Sequence, residues 1–562
     1  MLDQPLATIE NLRVAFQTKD GPVIGVEDVS FEIRPGETVC IVGESGSGKS
    51  VSSLALMRLI EYGGGEIAGG RLLFNRAEGG EIDLAQTDQS LMRTIRGNEI
   101  GMIFQEPMTA LNPVFTVGRQ LAEGVRMHKG LSKAEAEARA LDLLKQVRIP
   151  EPERRLKQYP HELSGGMRQR VVIAMALACE PRLLIADEPT TALDVTIQAE
   201  ILALMDRLKR ETGTAVMFIT HDMAVVAQMA DRVVVMFRGN KVEEGSVEEI
   251  FENPQHNYTK ALLAAVPKLG EMRGKAYPEP MKLLGRKDQN LDPIKGSDEV
   301  LLSVKNLTTR FPVKGGFFRR TVANVHAVED ISFTINKGRT LSLVGESGCG
   351  KTTLGRTLVH LIDPTAGSIT YRAPTGDGRD PVELTTVSNR RLRALRTNLQ
   401  YVFQDPLASL NPRLTIGDIV GEPLDVHDIA TGEAWADRIA DLLRTVGLDP
   451  DHARRYPHEL SGGQQQRVGI ARALCAHSEV MLLDEAFSAL DPIIRSQMQD
   501  LLLELQRELH KTIVFITHDL DEALKLADHL VILKDGYVIQ QGDPQDILLN
   551  PCDPYIEQFV SD

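Results

Sequence analysis

The chain contains one long internal repeat, and this repeat limits its possible folds more than any other feature of the sequence. The stretch "GESGSGKS" at 43–50 returns as "GESGCGKT" at 345–352, and "YPHELSGG" at 159–166 returns at 456–463. The repeated stretches keep the same order in both copies. Solenoid units are roughly 20 to 50 residues long, so a period of about 300 residues predicts two complete domains.

The segment between the copies sets the domain boundaries. Residues 268–298 are polar, contain proline and glycine and lack sustained periodicity, which is typical of a linker. We therefore predict a first domain at 1–267 and a second at 299–562. In each copy, short apolar runs alternate with helical stretches, and the Gly-rich loop directly follows an apolar run. This alternation predicts an α/β fold with buried parallel strands in both domains.

The composition argues against several other classes of protein. The 562 residues carry a formal net charge of -15, whereas nucleic-acid binders usually present a basic surface to phosphates. The same charge disfavours direct binding to anionic lipid. No apolar run approaches the roughly 20 residues that span a bilayer, and residues 1–14 lack the pattern of a signal peptide. We expect a cytoplasmic protein that binds no nucleic acid and does not insert into the membrane.

Both Gly-rich loops match G-x-x-x-x-G-K-[ST] and lie between a predicted strand and a predicted helix, which is the context of a phosphate-binding loop (P-loop). Backbone N–H groups of such a loop surround nucleotide phosphates, and the helix N-terminus adds to the attraction. Lys49 and Lys351 would reach the terminal phosphates. Ser50 and Thr352 would ligate Mg2+. The candidate nucleotide-binding residues are Gly43, Glu44, Ser45, Gly46, Ser47, Gly48, Lys49 and Ser50, with Gly345, Glu346, Ser347, Gly348, Cys349, Gly350, Lys351 and Thr352.

An acidic pair ends an apolar run in each copy, in "LLIADE" and "MLLDE". Asp187 and Asp484 suit the metal-binding aspartate of a P-loop nucleotide hydrolase. Glu188 and Glu485, the next carboxylates, could polarise the attacking water. An isolated acidic pair is more often a solvated strand end, and the upstream P-loop is what favours a catalytic interpretation.

Amide and imidazole side chains also recur beside these motifs. Gln105 and Gln404 follow short apolar runs and could contact Mg2+ or water, although an isolated glutamine there would be a surface residue. His221 and His518 end strands in "FITHD". A lone histidine at such a position is usually structural, but an imidazole near the γ-phosphate could sense it by hydrogen bonding.

The stretch "LSGG" supplies a further candidate in each copy. A Ser-Gly-Gly turn that opens a helix can offer a hydroxyl and bare amides to an anion. The residues alone do not indicate whose phosphate they would meet. The candidates are Ser164, Gly165, Gly166, Ser461, Gly462 and Gly463.

Taken together, these motifs resemble the ATP-binding subunits of ABC transporters over nearly the whole chain. The resemblance rests on an ordered set in each copy: P-loop, glutamine loop, "LSGG" signature, acidic pair, "TALD" or "SALD", and histidine. It implies two tandem P-loop NTPase domains, each with a RecA-like core and a helical subdomain, that hydrolyse ATP with Mg2+. It also implies a head-to-tail arrangement in which the P-loop at 43–50 faces the signature at 461–463, and the P-loop at 345–352 faces 164–166.

The resemblance assigns further roles to residues of both copies. Glu188, Glu485, His221 and His518 would serve catalysis, and because both copies retain the glutamate and the histidine we expect two hydrolytic sites. Aromatic residues of the first strand region would stack on adenine. Phe16 and Phe311 match that position, although the nearby aromatics Phe317 and Phe318 leave the second assignment open.

A finer resemblance points to the peptide importer branch of the family. "NPQHNYTKALLAAVPKLG" at 253–270 is similar to dipeptide and oligopeptide ATPases, and the fused layout is similar to the ATPases of glutathione importers. This implies two transmembrane permease subunits and an external solute-binding protein as partners, with the chain peripheral on the inner face of the cell membrane. The permeases would dock near the segments after Gln105 and Gln404.

Two alternatives to a peptide importer stay open. The second copy departs from the peptide pattern after its signature, and "HDLDEALKLADH" at 518–529 is more similar to glycine betaine and quaternary amine importers. A soluble twin-ABC protein of translation or DNA repair is another class. The acidic balance and the short linker disfavour that second alternative.

The five cysteines lie far apart, and we expect reduced thiols and no iron–sulfur cluster. Cys349 differs from the others because it lies within the second P-loop. A helix N-terminus beside it could lower its thiol pKa and make it reactive. The simpler alternative is that Cys349 is a small residue at the position that Ser47 occupies in the first loop.

Overall fold

The chain divides into two compact units, Met1–Val266 and Pro267–Asp562, which are described separately. Apart from its last two residues, the predicted linker at 268–298 lies outside the described residues. The computed structural model describes residues 4–18, 21–105, 110–190, 195–264, 297–315, 320–375, 378–404, 409–476, 478–488, 490 and 492–561.

The strands of the first unit form one ten-stranded sheet, ordered β5-β4-β1-β2-β10-β9-β3-β8-β7-β6 within the described residues. Strands β9, β3, β8, β7 and β6 run parallel, and all five residues of β3, β7 and β8 are buried, because helices cover both faces. The strands are β1 (Ala7–Thr18), β2 (Gly21–Ile33), β3 (Thr38–Val42), β4 (Gly65–Asn75), β5 (Glu81–Asp83), β6 (Ile100–Ile103), β7 (Leu183–Asp187), β8 (Ala215–Ile219), β9 (Arg232–Phe237) and β10 (Asn240–Ser246).

Helices of the first unit follow the parallel strands and build a separate helical layer. Helices α3, α4 and α6 pack on one another through buried residues such as Leu121, Leu144 and Val171. The helices are α1 (Lys49–Leu56), α2 (Gln89–Ile95), α3 (Val117–Lys129), α4 (Lys133–Gln146), α5 (Pro152–Arg155), α6 (Gly165–Leu177), α7 (Val195–Thr212), α8 (Met223–Met229), α9 (Val247–Glu252) and α10 (Asn257–Ala264).

The second unit repeats this plan with its strands in two sheets. The antiparallel sheet has the order β12-β11-β14-β15, and the sheet that carries the parallel strands has the order β16-β17-β18-β13-β19-β20. The strands are β11 (Val300–Gly315), β12 (Arg320–Asn336), β13 (Thr340–Val344), β14 (Ala366–Thr375), β15 (Gly378–Glu383), β16 (Leu399–Val402), β17 (Val480–Asp484), β18 (Thr512–Thr517), β19 (His529–Lys534) and β20 (Tyr537–Gly542).

The helices of the second unit also divide between the sheets and a helical layer. Helices α13, α14 and α15 pack together around Val420, Leu443 and Val468. The helices are α11 (Lys351–Leu358), α12 (Asn389–Leu395), α13 (Ile416–Val426), α14 (Glu433–Thr445), α15 (Gly462–Cys475), α16 (Pro492–Leu509), α17 (Leu520–Leu526), α18 (Pro544–Leu549) and α19 (Pro554–Ser561).

The strands form one sheet in the first unit and two in the second, and this difference depends on a single backbone bridge. In the first unit, Asn240 of β10 bridges Asp28 of β2 and joins the antiparallel and parallel parts. The neighbouring contact is the same in both units, since Glu27 N–H donates to Gly239 O and Glu329 N–H donates to Gly536 O, each at 2.8 Å. The two domains therefore share one architecture, as the repeat predicts.

Candidate functional site

The glycines of both P-loops are required by close backbone approach. A Cβ on Gly43 would lie 2.1 Å from Met236 O, and one on Gly48 would lie 2.7 Å from Gly25 O. In the second loop, a Cβ on Gly345 would lie 2.2 Å from Leu533 O. All three glycines have positive φ angles, which other residues adopt at a cost. The loops thus expose bare backbone amides at the start of α1 and α11, a cradle suited to phosphate.

The P-loop lysines are buried and folded back over their loops. Lys49 Nζ donates to Gly43 O and Glu44 O, both at 2.8 Å. Lys351 Nζ donates to the carbonyl oxygens of Gly345 and Glu346 at 2.7 and 2.9 Å. Each ammonium group therefore lies at the mouth of its amide cradle, where it can exchange these carbonyl contacts for phosphate oxygens.

The hydroxyl that follows each lysine meets the aspartate at the end of the neighbouring strand. Ser50 Oγ donates to Asp187 Oδ1, and Thr352 Oγ1 donates to Asp484 Oδ1, each at 2.9 Å. Oxygen donors of this kind are the ligands that Mg2+ prefers. The donor set in each domain therefore fits a magnesium ion bound together with nucleotide phosphates.

The acidic pair, the glutamine and the histidine of each copy meet at one carboxylate. In the first domain, Gln105 Nε2 donates to Glu188 Oε2 at 3.1 Å, and His221 Nδ1 lies 3.2 Å from Glu188 Oε1. The structure thus brings Gln105 to Glu188, a residue 83 positions further along the chain. A water molecule held in this group would face a carboxylate that can accept its proton.

The second domain repeats this cluster around Glu485. Gln404 Nε2 donates to Glu485 Oε2 at 2.8 Å, and His518 Nδ1 lies 3.6 Å from the same oxygen. Lys351 Nζ lies 3.6 Å from Glu485 Oε1. The P-loop and the acidic pair of this domain are therefore in direct electrostatic contact.

Backbone strain marks the two glutamates. Glu188 and Glu485 have φ angles of 47° and 45°, in the left-handed region that residues other than glycine seldom occupy. Their N–H groups donate to Ile219 O and Ile516 O at 2.9 Å, which holds the turn in place. Such strain costs of the order of 1–3 kcal/mol and persists where the surrounding structure fixes the side chain.

Burial shifts the protonation of the strand-end acids. It raises the pKa of Asp187 to about 6, against the effect of the Ser50 hydrogen bond, and it also raises the pKa of Asp484. Burial alone would raise the pKa of Glu485, but the hydrogen bond and charge of His518 outweigh it and lower that pKa. A divalent cation would favour the charged form of both aspartates, which agrees with a cation site at this position.

The signature residues open α6 and α15, where Ser164, Gly165, Ser461 and Gly462 are exposed, Gly166 is half-buried and Gly463 is buried. Ser164 and Ser461 are the N-caps, and their hydroxyls accept from Met167 N–H and Gln464 N–H, each at 3.4 Å. In α15 the capping box is completed by Ser461 N–H, which donates to Gln464 Oε1 at 2.9 Å. The two hydroxyl contacts themselves are long, so the serine side chains cap both helices only weakly. Such an exposed helix N-terminus, opened by glycines, is suited to an anion.

The candidate adenine-stacking residues lie on the first strand of each domain. The Phe16 ring covers Gly25, where an added Cβ would be 2.8 Å from its Cε2 atom and 3.5 Å from Val51 Cγ1 of α1. Phe16 is therefore adjacent to the P-loop helix. Phe311 is 39% exposed, and the competing candidates Phe317 and Phe318 lie outside the described residues.

Sequence reasoning missed a tyrosine near each P-loop, at the far end of its domain. Glu44 N–H donates to Tyr258 Oη of α10 at 2.7 Å. Tyr555 of α19 lies at the corresponding position of the second domain, near Glu346. The two tyrosines, in "HNYTKAL" and "CDPYIEQ", obey the same repeat offset as the signature, so the repeat itself could have revealed them.

The reactive-thiol alternative for Cys349 is wrong. Its side chain is buried, and burial raises the pKa of its thiol, against smaller opposing effects of Lys351. Cys349 therefore occupies the place of Ser47 as a small buried residue. The "TALD" stretch at 191–194 and parts of the segments after Gln105 and Gln404 lie outside the described residues.

Comparison with known proteins defines the class of the chain. The ABC transporter family model matches residues 26–191 and 328–488, once in each unit and more than half of the chain in total. The chain belongs to this family, and it is an ATP-binding, ATP-hydrolysing protein with two tandem α/β domains. The predicted family and fold are confirmed. A second model, the C-terminal region of oligopeptide/dipeptide transporters, matches residues 242–289.

Particular relatives match the chain from end to end. The glutathione import ATP-binding protein GsiA of Pectobacterium atrosepticum is 49% identical over 100% of this chain and 89% of its own length. The protein of the same name from Escherichia coli K12 is 49% identical over 98% of this chain and 88% of its length. A solved ATP-binding cassette dimer, in a post-hydrolysis state with ADP and Pi, is 30% identical over 43% of this chain and 99% of its own, with a TM-score of 0.38.

Proposed function

We propose that the chain is the ATP-hydrolysing motor of an importer that takes up glutathione or other small peptides. The observation that carries this proposal is the full-length identity of 49% to glutathione import ATP-binding proteins, together with the oligopeptide transporter model at 242–289. Within the described residues, no helix is long and apolar enough to cross a bilayer. From the similarity to import ATP-binding proteins, we propose two separate transmembrane permease subunits and an external solute-binding protein as partners, with the chain on the inner face of the membrane.

We infer that both domains bind Mg2+ and ATP at their P-loops. Ser50, Gln105 and Asp187 would hold the cation in the first domain, with Thr352, Gln404 and Asp484 in the second. The hydroxyl-to-carboxylate contacts of 2.9 Å support this assignment. Bound Mg2+ would neutralise charge on the phosphates, and the neighbouring glutamates would accept the proton of the attacking water.

We infer further that each ATP site is completed by the other domain. By family resemblance, Ser461, Gly462 and Gly463 would contact ATP on the first P-loop, and Ser164, Gly165 and Gly166 would contact ATP on the second. The exposed and weakly capped helix N-termini of the signatures support this proposal. Closure of the two domains around ATP and reopening after hydrolysis would drive the permeases.

An uptake assay tests the proposed function. The chain would be produced with its candidate permeases and binding protein in a host that lacks glutathione import, and entry of labelled glutathione would be measured. We expect uptake with the unchanged chain and none with the double variant Glu188→Gln and Glu485→Gln, which keeps the side-chain shape but removes both candidate bases. The same cells receive labelled glycine betaine in parallel.

The glycine betaine measurement distinguishes glutathione import from the alternative, import of quaternary amines. The second domain carries the stretch at 518–529 that resembles quaternary amine importers, and the oligopeptide model matches residues 242–289, before the second domain begins. Entry of glycine betaine without entry of glutathione would show that the chain energises a quaternary amine importer and not a glutathione importer. Absence of ATP-dependent uptake of either solute, with the complex assembled in the membrane, would contradict the importer proposal.

A further inference from the structure

The two domains hold their strand-end aspartates in different ways. Asp187 and Asp484 each accept a hydrogen bond from the P-loop hydroxyl at 2.9 Å. Asp484 also accepts a second, shorter bond at its other oxygen, from Tyr401 Oη at 2.6 Å. Both carboxylate oxygens of Asp484 are thus tied to fixed protein donors.

The strand register shows which residue replaces Tyr401 in the first domain. Tyr401 of β16 pairs with Leu482 of β17, two residues before Asp484. Met102 of β6 pairs with Ile185 of β7, two residues before Asp187. Met102 and Tyr401 are therefore structurally equivalent. Methionine carries no O–H group, so this position cannot donate to the aspartate of the first domain.

A cation supports the tyrosine in the second domain. Arg356, five residues after the P-loop lysine, lies close enough to Tyr401 and Asp484 for its charge to act on both side chains. The equivalent residue of α1 is Leu54, which packs against the apolar core. A positive charge beside the tyrosine strengthens the bond that Tyr401 donates to Asp484, because charge and hydrogen bond polarise one another in a low-dielectric site. At these two equivalent positions, the second domain thus has arginine and tyrosine, and the first domain has leucine and methionine.

We propose that Tyr401, supported by Arg356, is a positioning residue that lets the second site bind Mg2+ with ATP at a lower Mg2+ concentration than the first. This inference rests on the proposed function, in which Asp484 faces the cation. Among the described residues, Asp187 accepts a side-chain hydrogen bond at one oxygen only and must be ordered when the cation binds, whereas Asp484 is already oriented. Partners of this kind behind a metal site typically contribute 10- to 100-fold in metal affinity.

Nucleotide binding by the full chain tests the proposal. The variant Lys49→Ala weakens the first P-loop, so that binding of a fluorescent, non-hydrolysable ATP analogue reports the second site. The analogue is titrated at a series of Mg2+ concentrations and in EDTA. We expect Tyr401→Phe to raise the Mg2+ concentration for half-maximal binding about tenfold or more, with binding in EDTA unchanged. Arg356→Leu should raise it by a smaller factor.

The duplicated chain supplies the matched control. In the variant Lys351→Ala, which reports the first site, Met102→Leu should leave the Mg2+ dependence unchanged, and the half-maximal concentration should exceed that of the second site. An unchanged Mg2+ dependence in both Tyr401→Phe and Arg356→Leu would overturn the proposal. So would an equal loss of binding in Mg2+ and in EDTA, because that result indicates general damage to the loop. Failure of the unchanged chain to bind the analogue would instead contradict the proposed function.

Discussion

At the scale of single residues, the position of each candidate base is set by a strained turn and two neighbours. Glu188 contacts Gln105 and His221, and Glu485 contacts Gln404 and His518. The left-handed φ of both glutamates directs them away from the strand that precedes them. This geometry is the same in both domains, so hydrolysis at two sites is the expected outcome.

Replacing either glutamate with glutamine tests that expectation. Loss of a general base typically lowers turnover by roughly 10²- to 10⁴-fold, so Glu188→Gln or Glu485→Gln alone should leave at most the turnover of the intact site. The double variant should lose ATP turnover while binding ATP, as measured by phosphate release and by equilibrium nucleotide binding. If one single variant turned over ATP at the full rate, its domain would not be a hydrolytic site.

The sequence identified these residues because their chemistry is encoded by local spacing. The P-loop, the acidic pair and the histidine are each recognisable within a few positions of a strand end. Tyr401 was not identified, because its role depends on which residue of β17 it lies beside. That strand register cannot be predicted from the sequence of either strand alone. Cys349 was left open because the effects of burial and of the helix N-terminus on its thiol are opposite, and only the structure shows that burial wins.

At the scale of elements, the last helix of the first domain is attached to the P-loop by a tyrosine, and the last helix of the second domain carries a tyrosine at the equivalent position. Tyr258 of α10 accepts the Glu44 N–H group, and its ring lies 4.3 Å from that of Phe237 at the end of β9, measured between centroids. A hydrogen bond of this kind contributes about 1 kcal/mol. The contact joins the C-terminal region of the domain to the phosphate cradle.

Removing the tyrosine hydroxyl should weaken nucleotide binding without unfolding the domain. Tyr258→Phe keeps the ring and leaves the Glu44 amide without this acceptor, so we expect ATP affinity at the first site to fall about fivefold. Tyr555→Phe should act in the same way on the second site. Tyr62→Phe, at a tyrosine that is 75% exposed, is the control. Equal affinities for Tyr258→Phe and Tyr62→Phe in a nucleotide titration would contradict a positioning role.

At the scale of the whole molecule, duplication allows one chain to carry two related but unequal domains. The strands, the P-loops and the acidic pairs correspond, whereas the support behind the aspartates and the joining of the sheets differ. The fold was predictable because every repeated stretch supports the same alternation of strands and helices. The separation of ten strands into four and six was not, because it depends on one bridge between Asn240 and Asp28.

The pairing of P-loops with signatures can be tested by combining variants across the domains. If Lys49 and Ser461 belong to one site, Lys49→Ala with Ser461→Arg should disable that site alone and leave one ATP analogue bound per chain. Lys49→Ala with Ser164→Arg should disable both sites. Both serines are exposed, so arginine can be placed there without disturbing a core. The reverse pattern of binding stoichiometries would indicate that each domain binds ATP by itself.

The tyrosine contact also sets an order of assembly during synthesis. Glu44 leaves the ribosome 214 residues before Tyr258, the residue that accepts its amide hydrogen. The P-loop of the nascent chain therefore lacks one of its supports until almost the whole first domain has been translated. Until the polypeptide reaches the junction between its two halves, we therefore expect the first P-loop to bind nucleotide about fivefold more weakly than in the finished domain.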